Sequence, residues 1–427
     1  MFYLLYNAIS LFLLLPVICY HLYRSISRGR PPALAERFGF VPAETAAAIG
    51  GRQVIWLHAV SVGEAIAARP LLKRLRQRYP DHAIVVSTTT ETGRRIASAF
   101  PEKDLCIYFP FDFLPGVCMT LDAISPRIII IMETEIWPNF TREARRRMIP
   151  VILANGRISD RSYAGYLRFS WFFRHPLQLF NRLCMQTDTD CDRIAAIGAP
   201  PERTLRAGNL KYDIASRPAE PEEIRGLKTR YGIPDGVVVL TAGSTHAGEE
   251  QAVIDAYARL CRECQDLFLV LVPRHPERNT EVAMLLDRAC LSFRRRTELV
   301  PGVVAGGGEV LLVDTVGELM NMYAVADLAF VGGSLVPTGG HNLLEPASLG
   351  VPSVFGPHMS NFREITELVL HYGAGVQVPD AEKLVEMLRP LVASPDLRRV
   401  LGQNGLKLMR DNGGATDRHT EVIAEYL

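Results

Sequence analysis

Short apolar runs alternate with longer amphipathic stretches along most of the chain, beginning at Arg52. The runs are rich in β-branched residues and apolar at successive positions, which is typical of strands buried on both faces of a parallel sheet. The stretches between them, such as EAIAARPLLKRLRQRY, are predicted to be helices covering that sheet. The pattern therefore predicts an α/β fold. The predicted strands lie in RQVIWLHAV, HAIVVSTTT, DLCIYFP, RIIIIME, PVILANG and RLCMQTD, and further along in VVVLTAGST, LFLVLVPRH, VLLVD, DLAFVGG, PSVFG and GVQVP.

A polar stretch in the middle of the chain divides this alternation into two halves. Residues 214–223 contain two prolines and three glutamates and are predicted to be a linker. Residues 31–213 and 224–427 then form two doubly wound, Rossmann-like domains with a crevice between them, and the last helix is free to pack back on the first domain. Because ligands of such sheets lie beyond the carboxyl ends of the strands, we expect functional residues in the loops that follow strands.

The N-terminal stretch Phe2–Tyr23 is almost wholly apolar and contains no Asp, Glu, Lys or Arg. About 20 such residues suffice to cross a bilayer as a helix. Three arginines follow it at once, and basic flanks stay on the cytoplasmic side. A cleaved signal peptide has the reverse order of basic and apolar segments. Residues 1–30 are therefore predicted to be a membrane anchor, although Pro16 leaves open a kinked or interfacial helix.

A second stretch with possible membrane character is Arg161–Phe180, which is aromatic and basic and contains no acidic residue. Two interpretations stay open. It is either an ordinary interior helix or an interfacial one, since helices at membrane surfaces combine basic and aromatic side chains in this way.

Charge and cysteine content exclude several classes of protein. The chain has 47 basic and 46 acidic residues, a net charge of +1, which argues against nucleic-acid binding driven by bulk charge. Its eight cysteines show no regular framework. Cys261 and Cys264 form a C-x-x-C pair without the second pair that a zinc site would need. Reduced thiols in a reducing compartment are the expected state.

The most informative loop is Val331–Pro346, VGGSLVPTGGHNLLEP, which follows an apolar run and precedes a predicted helix. A strand that enters a glycine turn and then a helix can expose backbone N–H groups to a phosphate. Asn342 and Glu345 on the same segment add a partner for ribose hydroxyls. A plain strand-turn-helix connection is the alternative, and we favour a nucleotide site.

Carboxylates follow two of the predicted strands in the first half. Glu64 opens the first helix after its strand, where the helix N-terminus favours the charged form, so it is a candidate general base; an ordinary helix-start Glu is equally compatible. Glu133 follows four isoleucines and a methionine, at the rim of a buried sheet where carboxylates are rare unless functional or paired. Asn155-Gly156-Arg157, at the next strand end, is a candidate partner.

Basic and histidine side chains occupy other strand ends. Lys211 closes the first half, and Arg274 follows a strand in a proline-flanked turn that suits bidentate phosphate recognition. His246, His275 and His341 lie on separate strand ends without metal-ligand spacing, so a zinc site is not favoured.

In combination these residues resemble the 3-deoxy-D-manno-octulosonic acid (Kdo) transferase family of lipopolysaccharide synthesis. The resemblance runs from the anchor to near the C-terminus. It is carried, in order, by Ser61-Val62-Gly63-Glu64, Glu133-Thr134-Glu135-Ile136-Trp137-Pro138-Asn139, Gly208-Asn209-Leu210-Lys211, Ser244-Thr245-His246, Pro273-Arg274-His275-Pro276-Glu277-Arg278, Gly332-Gly333-Ser334, Gly339-Gly340-His341-Asn342 and Glu345-Pro346.

The resemblance implies a GT-B glycosyltransferase on the cytoplasmic face of a bacterial inner membrane. It implies CMP-Kdo as the donor, a lipid A precursor (lipid IVA) as the acceptor, and inversion at the donor's anomeric carbon. No cofactor, catalytic metal or nucleic-acid partner is expected. Carried over residue by residue, it implies that Glu64 is the general base and that Glu133 and Lys211 stabilise the transition state. CMP contacts are implied for Pro273, Arg274, Val316, Gly317, Glu318, Asn342, Leu343, Leu344 and Glu345.

Two positions depart from the family pattern. Leu343 stands where the family has proline, which puts the rigidity of that turn in question, and Gly156 stands where alanine is expected. Two other functions stay open: another nucleotide-sugar enzyme, such as a UDP-sugar transferase or 2-epimerase, and a membrane-tethered nucleotide-binding module without turnover. The predicted anchor argues against a soluble epimerase, and the two strand-end carboxylates argue against a module that only binds.

Overall fold

The chain forms two compact units, Met1–Asp213 with Asn412–Leu427, and Ile214–Asp411. The structure is a computed structural model and describes residues 2–28, 33–42, 47, 49–213, 218–300, 303–304 and 308–427, apart from the side chains of residues 21 and 24–28. Each unit is built around its own sheet of seven strands.

The first unit contains a wholly parallel sheet. Its strands are β1 (Val54–His58), β2 (Ala83–Thr88), β3 (Leu105–Tyr108), β4 (Ile128–Met132), β5 (Val151–Gly156), β6 (Arg182–Met185) and β7 (Thr204–Arg206). Their order in the sheet is β3-β2-β1-β4-β5-β6-β7. Because β1 and β4 are neighbours, the loops that carry Glu64 and Glu133 leave the sheet side by side.

The first unit also contains ten α-helices within the residues that the structure describes. They are α1 (Phe2–Arg28), α2 (Leu34–Arg37), α3 (Val62–Arg78), α4 (Glu91–Ser98), α5 (Leu114–Ile124), α6 (Pro138–Arg146), α7 (Asp160–Arg168), α8 (Ser170–Leu177), α9 (Asp188–Ile197) and the last helix of the chain, α18 (Ala415–Ala424), with 3-10 helices at Pro201–Arg203 and Leu210–Tyr212. Successive side chains of a strand point to opposite faces. Trp56 accordingly joins one buried apolar cluster, and its neighbours Ile55 and Leu57 join another, to which α18 contributes Ala415 and Ile423.

The second unit repeats the architecture. Its strands are β8 (Val238–Thr245), β9 (Leu267–Pro273), β10 (Phe293–Arg295), β11 (Val310–Leu312), β12 (Leu328–Val331), β13 (Ser353–Phe355) and β14 (Gly375–Gln377). They are parallel, in the order β10-β11-β9-β8-β12-β13-β14. The central strands β9, β8 and β12 therefore bring the loops of Arg274, His246 and Gly332 to one edge.

The helices of the second unit are α10 (Pro221–Tyr231), α11 (Glu249–Leu260), α12 (Asn279–Arg288), α13 (Leu319–Ala324), α14 (Leu344–Ser348), α15 (Arg363–Tyr372), α16 (Leu384–Ala393) and α17 (Pro395–Asn412), with 3-10 helices at Pro276–Arg278, Arg296–Glu298 and Ser360–Phe362. Helix α10 begins inside the stretch predicted as a linker, because Glu220 and Glu223 form a capping box around Pro221 at the first helical position. Residues 214–217 of that stretch lie outside the described residues.

The apolar helix α1 is bonded to the first unit through its first two turns. The Tyr6 hydroxyl donates to Asp112 Oδ2 at 2.7 Å, and Asn139 Nδ2 donates to Asn7 Oδ1 at 2.8 Å. Many of the large apolar side chains further along the helix are exposed. Phe2–Tyr20 is long and apolar enough to cross a membrane, judged by length and composition.

The aromatic, basic stretch predicted as either an interior or an interfacial helix forms two helices, α7 and α8. Helix α7 buries none of its residues, and Phe169 and Trp171 are 49% and 61% exposed. The interior-helix alternative is therefore wrong for most of this stretch.

Candidate active site

Glu64 lies in the first turn of α3, where the sequence predicts a candidate base. Its carboxylate accepts a hydrogen bond from the Val60 N–H at 2.8 Å and one from the Ser61 hydroxyl at 2.9 Å. Ser61 is the N-cap of α3, and its Oγ accepts from the Glu64 N–H at 3.3 Å. This reciprocal arrangement has the pattern of a capping box. It holds the carboxyl group in one orientation at the end of β1.

The charge state of Glu64 is a balance between burial and hydrogen bonding. Burial raises the pKa of the Glu64 carboxyl above its ordinary value, the Val60 N–H opposes this, and the charge of Glu133 adds to the rise. The expectation from sequence, that the helix N-terminus keeps this group charged, omitted desolvation, which is the larger effect here. A raised pKa brings a carboxylate closer to the operating pH of a general base.

Glu133 and Glu135 complete an acidic cluster with Glu64. Glu133 follows β4 with φ of 54°, a left-handed conformation that costs a non-glycine residue about 1–3 kcal/mol, and its N–H donates to Ala154 O at 2.8 Å. Burial raises the pKa of the Glu135 carboxyl to about 7, and the charges of Glu64 and Glu133 add to this. We call Glu64, Glu133 and Glu135 the acidic cluster.

Glu135 is a member of this cluster to which the sequence prediction assigned no role. Glu133 and Glu135 are two apart in Glu-Thr-Glu, which was the available signal. The protonation of Glu135 depends on its surroundings, which the sequence does not reveal.

Lys211 lies on the 3-10 helix Leu210–Tyr212, which packs against α3, the helix that carries Glu64. The backbone N–H of Lys211 donates to Asn209 Oδ1 at 3.0 Å, and the preceding N–H, of Leu210, donates to Asn155 Oδ1 at 2.9 Å. Of the segment Asn155-Gly156-Arg157, predicted as a candidate partner for the carboxylates, Asn155 is thus bonded through Oδ1 to the Lys211 segment.

The glycine at position 156 is explained by its neighbour in the sheet. A Cβ atom built on Gly156 would lie 2.5 Å from Met185 Sδ. The alanine that the family pattern leads one to expect would require Met185 to move, so this departure changes packing and removes no functional group.

In the second unit, Arg274, Asn342 and Glu345 lie within reach of one another. Burial raises the pKa of the Glu345 carboxyl to about 7, while the positive charge of Arg274 and a hydrogen bond from Asn342 oppose the rise. Arg274 follows Pro273 at the end of β9, and its N–H donates to Thr245 O at 2.9 Å.

The two leucines of the same turn are buried completely. Leu343 and Leu344 have no exposed surface, and the Leu344 N–H donates to Asn342 Oδ1 at 3.1 Å. A ligand at this turn would therefore meet the side chains of Asn342 and Glu345, which are only partly buried.

The first glycine pair of the Val331–Pro346 loop does not offer its N–H groups to a phosphate. The fully buried carboxylate of Glu249 accepts from the N–H groups of Gly333 at 2.6 Å, Ser334 at 2.9 Å and Leu335 at 2.8 Å. It also accepts from the His246 N–H at 2.9 Å. The prediction that this turn exposes N–H groups to a nucleotide is wrong at these positions, because an internal anion already occupies them.

Val316, Gly317 and Glu318 follow β11, which neighbours β9. Val316 is 83% exposed. Burial disfavours the charged form of Glu318, but hydrogen bonds from Thr315, Tyr231 and Arg296 outweigh burial and lower its pKa. The Glu318 side chain is thus bonded within its own unit, and the structure shows no contact of it with Arg274 or Glu345 among the described residues.

The three histidines at the strand ends come together without forming a metal site. His246 Nε2 and His341 Nε2 are 2.8 Å apart, and the ring centroids of His246 and His275 are 5.7 Å apart. In the part of the chain that the structure describes, no three His, Cys, Asp or Glu side chains form a group able to hold a metal ion.

Known proteins resemble the chain in sequence over most of its length. A family model described as "3-Deoxy-D-manno-octulosonic-acid transferase (kdotransferase)" matches residues 32–214. The 3-deoxy-D-manno-octulosonic acid transferase of Haemophilus influenzae is 35% identical and matches 92% of this chain and 91% of its own. The protein of that name from Bordetella pertussis is 32% identical over 92% of this chain and 91% of its own.

Solved structures support the fold. A UDP-GlcNAc 2-epimerase from Neisseria meningitidis has a TM-score of 0.55 at 13% identity and covers 87% of this chain and 100% of its own. A glycosyltransferase from Rickettsia africae has a TM-score of 0.53 at 12% identity and covers 88% of this chain and 98% of its own. The predicted α/β class of the GT-B type, with two doubly wound domains, is confirmed. By the sequence relationships, the chain belongs to the 3-deoxy-D-manno-octulosonic acid transferase family.

Proposed function

We propose that this glycosyltransferase moves Kdo from CMP-Kdo to a lipid A precursor, lipid IVA, with inversion at the anomeric carbon. The observation that carries the proposal is the acidic cluster at the ends of β1 and β4. There a buried, hydrogen-bonded carboxyl group, Glu64, lies beside two further carboxyl groups. Its side-chain orientation and raised pKa suit a general base.

In the proposed reaction, ionised Glu64 removes the proton from an acceptor hydroxyl. The acceptor oxygen then bonds to the anomeric carbon of Kdo from the side opposite the phosphate. The bond from that carbon to the phosphate oxygen breaks, and its electron pair leaves with CMP. A single displacement of this kind inverts the anomeric centre. The Val60 N–H and the Ser61 hydroxyl hold the Glu64 carboxylate for this step.

We assign charge stabilisation in the transition state to Glu133 and Lys211. Charge develops on the sugar and on the departing phosphate, and fixed charged groups stabilise it without reorganising. The segment of Lys211 packs against α3, which carries Glu64, and its backbone is fixed by Asn155 and Asn209.

We assign donor binding to the second unit. Arg274 suits the CMP phosphate because its guanidinium can pair with two oxygens at once. Glu345, oriented by Asn342, is assigned to the ribose hydroxyls. The buried Leu343 and Leu344 are assigned to CMP only by their positions in the family motifs. Pro273, Val316, Gly317 and Glu318 are assigned to CMP by their positions in the family motifs.

We further propose that the protein acts at the cytoplasmic face of a bacterial inner membrane, held by α1. The exposed apolar side chains of α1 and the exposed Phe169 and Trp171 beside basic residues support this placement. A lipid acceptor would reach the acidic cluster from that surface. We propose that the reaction requires no catalytic metal and no cofactor, and that the protein has no nucleic-acid partner.

Turnover with a defined donor and acceptor tests this function. The purified protein is given CMP-Kdo, made in situ, and tetra-acylated lipid A precursor, and excess EDTA is added once the donor has formed. We expect transfer to continue after chelation and the product, analysed by NMR, to have the anomeric configuration opposite to that of the donor. Retained configuration would contradict the mechanism, and equal use of UDP-sugars would contradict the donor.

A further inference from the structure

The last helix of the chain, α18, forms hydrogen bonds to both sides of Lys211. On the C-terminal side, Asp213 Oδ1 accepts from the Gly414 N–H at 2.7 Å, and Asp213 Oδ2 accepts from the Thr416 N–H. These N–H groups open α18, where the helix dipole and the unpaired donors favour an anion. The residue two positions after Lys211 is thereby fixed to α18.

On the N-terminal side, Arg418 binds the backbone that leads to Lys211. Its Nε donates to Ala207 O at 2.8 Å. The next residue, Gly208, has φ of 86°, and a Cβ atom there would lie 2.6 Å from Arg418 Nη2. The positive φ favours glycine here, and a larger residue would push the Arg418 guanidinium aside.

A third connection runs through His419, which is 1% exposed. His419 Nε2 accepts from the Asn155 N–H at 2.9 Å, and its Nδ1 donates to Ala415 O at 2.7 Å. This pattern requires the neutral ring with its proton on Nδ1. Burial lowers the pKa of His419 to about 4, so the ring stays neutral at physiological pH.

Asn155 passes this contact on to the Lys211 segment. It has φ of 57°, a left-handed conformation that needs support from its surroundings. Its Oδ1 accepts from the Leu210 N–H at 2.9 Å, immediately before Lys211. A continuous set of hydrogen bonds therefore leads from His419 through Asn155 to the residue next to Lys211.

We propose that α18 positions Lys211 for the transfer reaction and that Asp213, Arg418 and His419 are positioning residues. This inference rests on the proposed function. A lysine side chain has four flexible bonds, so its ammonium can be placed reproducibly only if its backbone is fixed. Displacing a catalytic group by about 1 Å can cost 10²-fold in rate. The final helix is thus part of the catalytic apparatus as well as of the core.

A double-mutant cycle separates positioning from general stability, because coupled residues lose additivity. His419→Leu removes the acceptor for the Asn155 N–H, whereas His419→Gln keeps a side-chain acceptor. Both are made in the wild-type background and with Lys211→Ala, and kcat and KM for CMP-Kdo are measured below the unfolding temperature of each variant. If Lys211→Ala is too slow to assay, Lys211→Arg replaces it.

We expect His419→Leu to lower kcat by about 10- to 100-fold, in line with the cost of misplacing a catalytic group, with a smaller change in KM. His419→Gln should recover part of the loss. In the Lys211→Ala background, His419→Leu should lower kcat by only about twofold or less, because the effects of coupled residues are not additive.

If His419→Leu lowers kcat by the same factor in both backgrounds, the inference is overturned, and α18 has only a structural role. If His419→Leu does not fold, Asp213→Asn gives the same comparison, because it keeps the shape and removes the charge at the α18 N-terminus. A wild-type protein that transfers no Kdo would contradict the proposed function, which is a separate outcome.

Discussion

Glu135 shows how strongly the environment sets the chemistry of a single residue. Its ordinary carboxyl group is buried beside two others, which raises its pKa to about 7. The folded state favours the neutral form of the Glu135 carboxyl group. The resulting stabilisation is complete at pH values below the ordinary pKa that this group has in the unfolded chain. That contribution is lost as the pH rises through about 7.

We therefore predict that the wild-type protein loses thermal stability relative to Glu135→Gln between pH 5 and pH 8. Glutamine mimics the neutral carboxyl group and does not ionise. Partial exposure reduces the effect, and we expect about 1–2 kcal/mol at pH 8. Thermal unfolding of both proteins across this pH range measures it. Glu263→Gln, at an exposed ion pair with Arg389, is the control and should not reproduce this trend. Parallel curves for wild type and Glu135→Gln would contradict the prediction.

Some site residues could be predicted from their position in the sequence alone. Glu64, Glu133 and Arg274 follow strands, and the structure places them at strand ends. Hydrogen bonds between residues far apart in the chain could not be predicted from the sequence. Glu249 reaches Gly333 across 84 positions, and His419 reaches Asn155 across 264. Neither contact has a local signal.

At the scale of elements, Glu249 connects helix α11 to the loop after β12. It satisfies four backbone N–H groups in a site without water access. A glutamine at position 249 would place an NH₂ group, which cannot accept, against backbone N–H groups that need an acceptor. Hydrogen bonds to charged groups are worth about 1.5–3 kcal/mol each, and leaving a buried donor unpaired adds to the loss.

We predict that Glu249→Gln destabilises the second unit by about 2–4 kcal/mol and weakens CMP binding, because the loop also carries Asn342 and Glu345. Chemical unfolding and calorimetric titration with CMP measure the two effects. Glu263→Gln in the same unit is the matched control and should leave both close to wild type. An unchanged affinity with lowered stability would show that the loop after β12 does not shape the nucleotide site.

The elements themselves were largely predictable. Every strand expected from an apolar run is present, because parallel strands buried on both faces need continuous apolar sequence. The two strands that were not predicted, β7 and β10, are three-residue edge strands containing arginine. The stretch of α7 and α8 was ambiguous in sequence because aromatic residues serve both cores and membrane surfaces.

In the whole molecule, the two units differ in the number of chain segments that form them. The second unit is one segment, Ile214–Asp411, whereas the first needs Asn412–Leu427 from the far end of the chain. Those residues supply Ala415 and Ile423 to the apolar cluster of β1. The apolar pattern indicated two domains, but nothing local in the sequence decided where the last helix packs.

We predict that residues 214–411 expressed alone fold and bind CMP with the affinity of the full chain. Residues 1–213 alone, kept in detergent, should not fold unless residues 412–427 are supplied as a peptide, because removing α18 leaves apolar and polar groups of the first unit unpaired. Circular dichroism and proteolysis with and without the peptide measure this. A stably folded 1–213 fragment without the peptide would contradict the assignment of α18.

Kdo transfer, measured with and without the Glu64 carboxyl group, tests both the reaction and the proposed base. The purified protein and Glu64→Ala are incubated in parallel with CMP-Kdo and tetra-acylated lipid A precursor, and the lipid is analysed by mass spectrometry. We predict that the lipid gains the mass of one or more Kdo residues with the wild-type protein and none with the variant. An unchanged lipid with the wild-type protein, while a control enzyme is active, would contradict the donor and acceptor. Full activity of Glu64→Ala would contradict the role of Glu64.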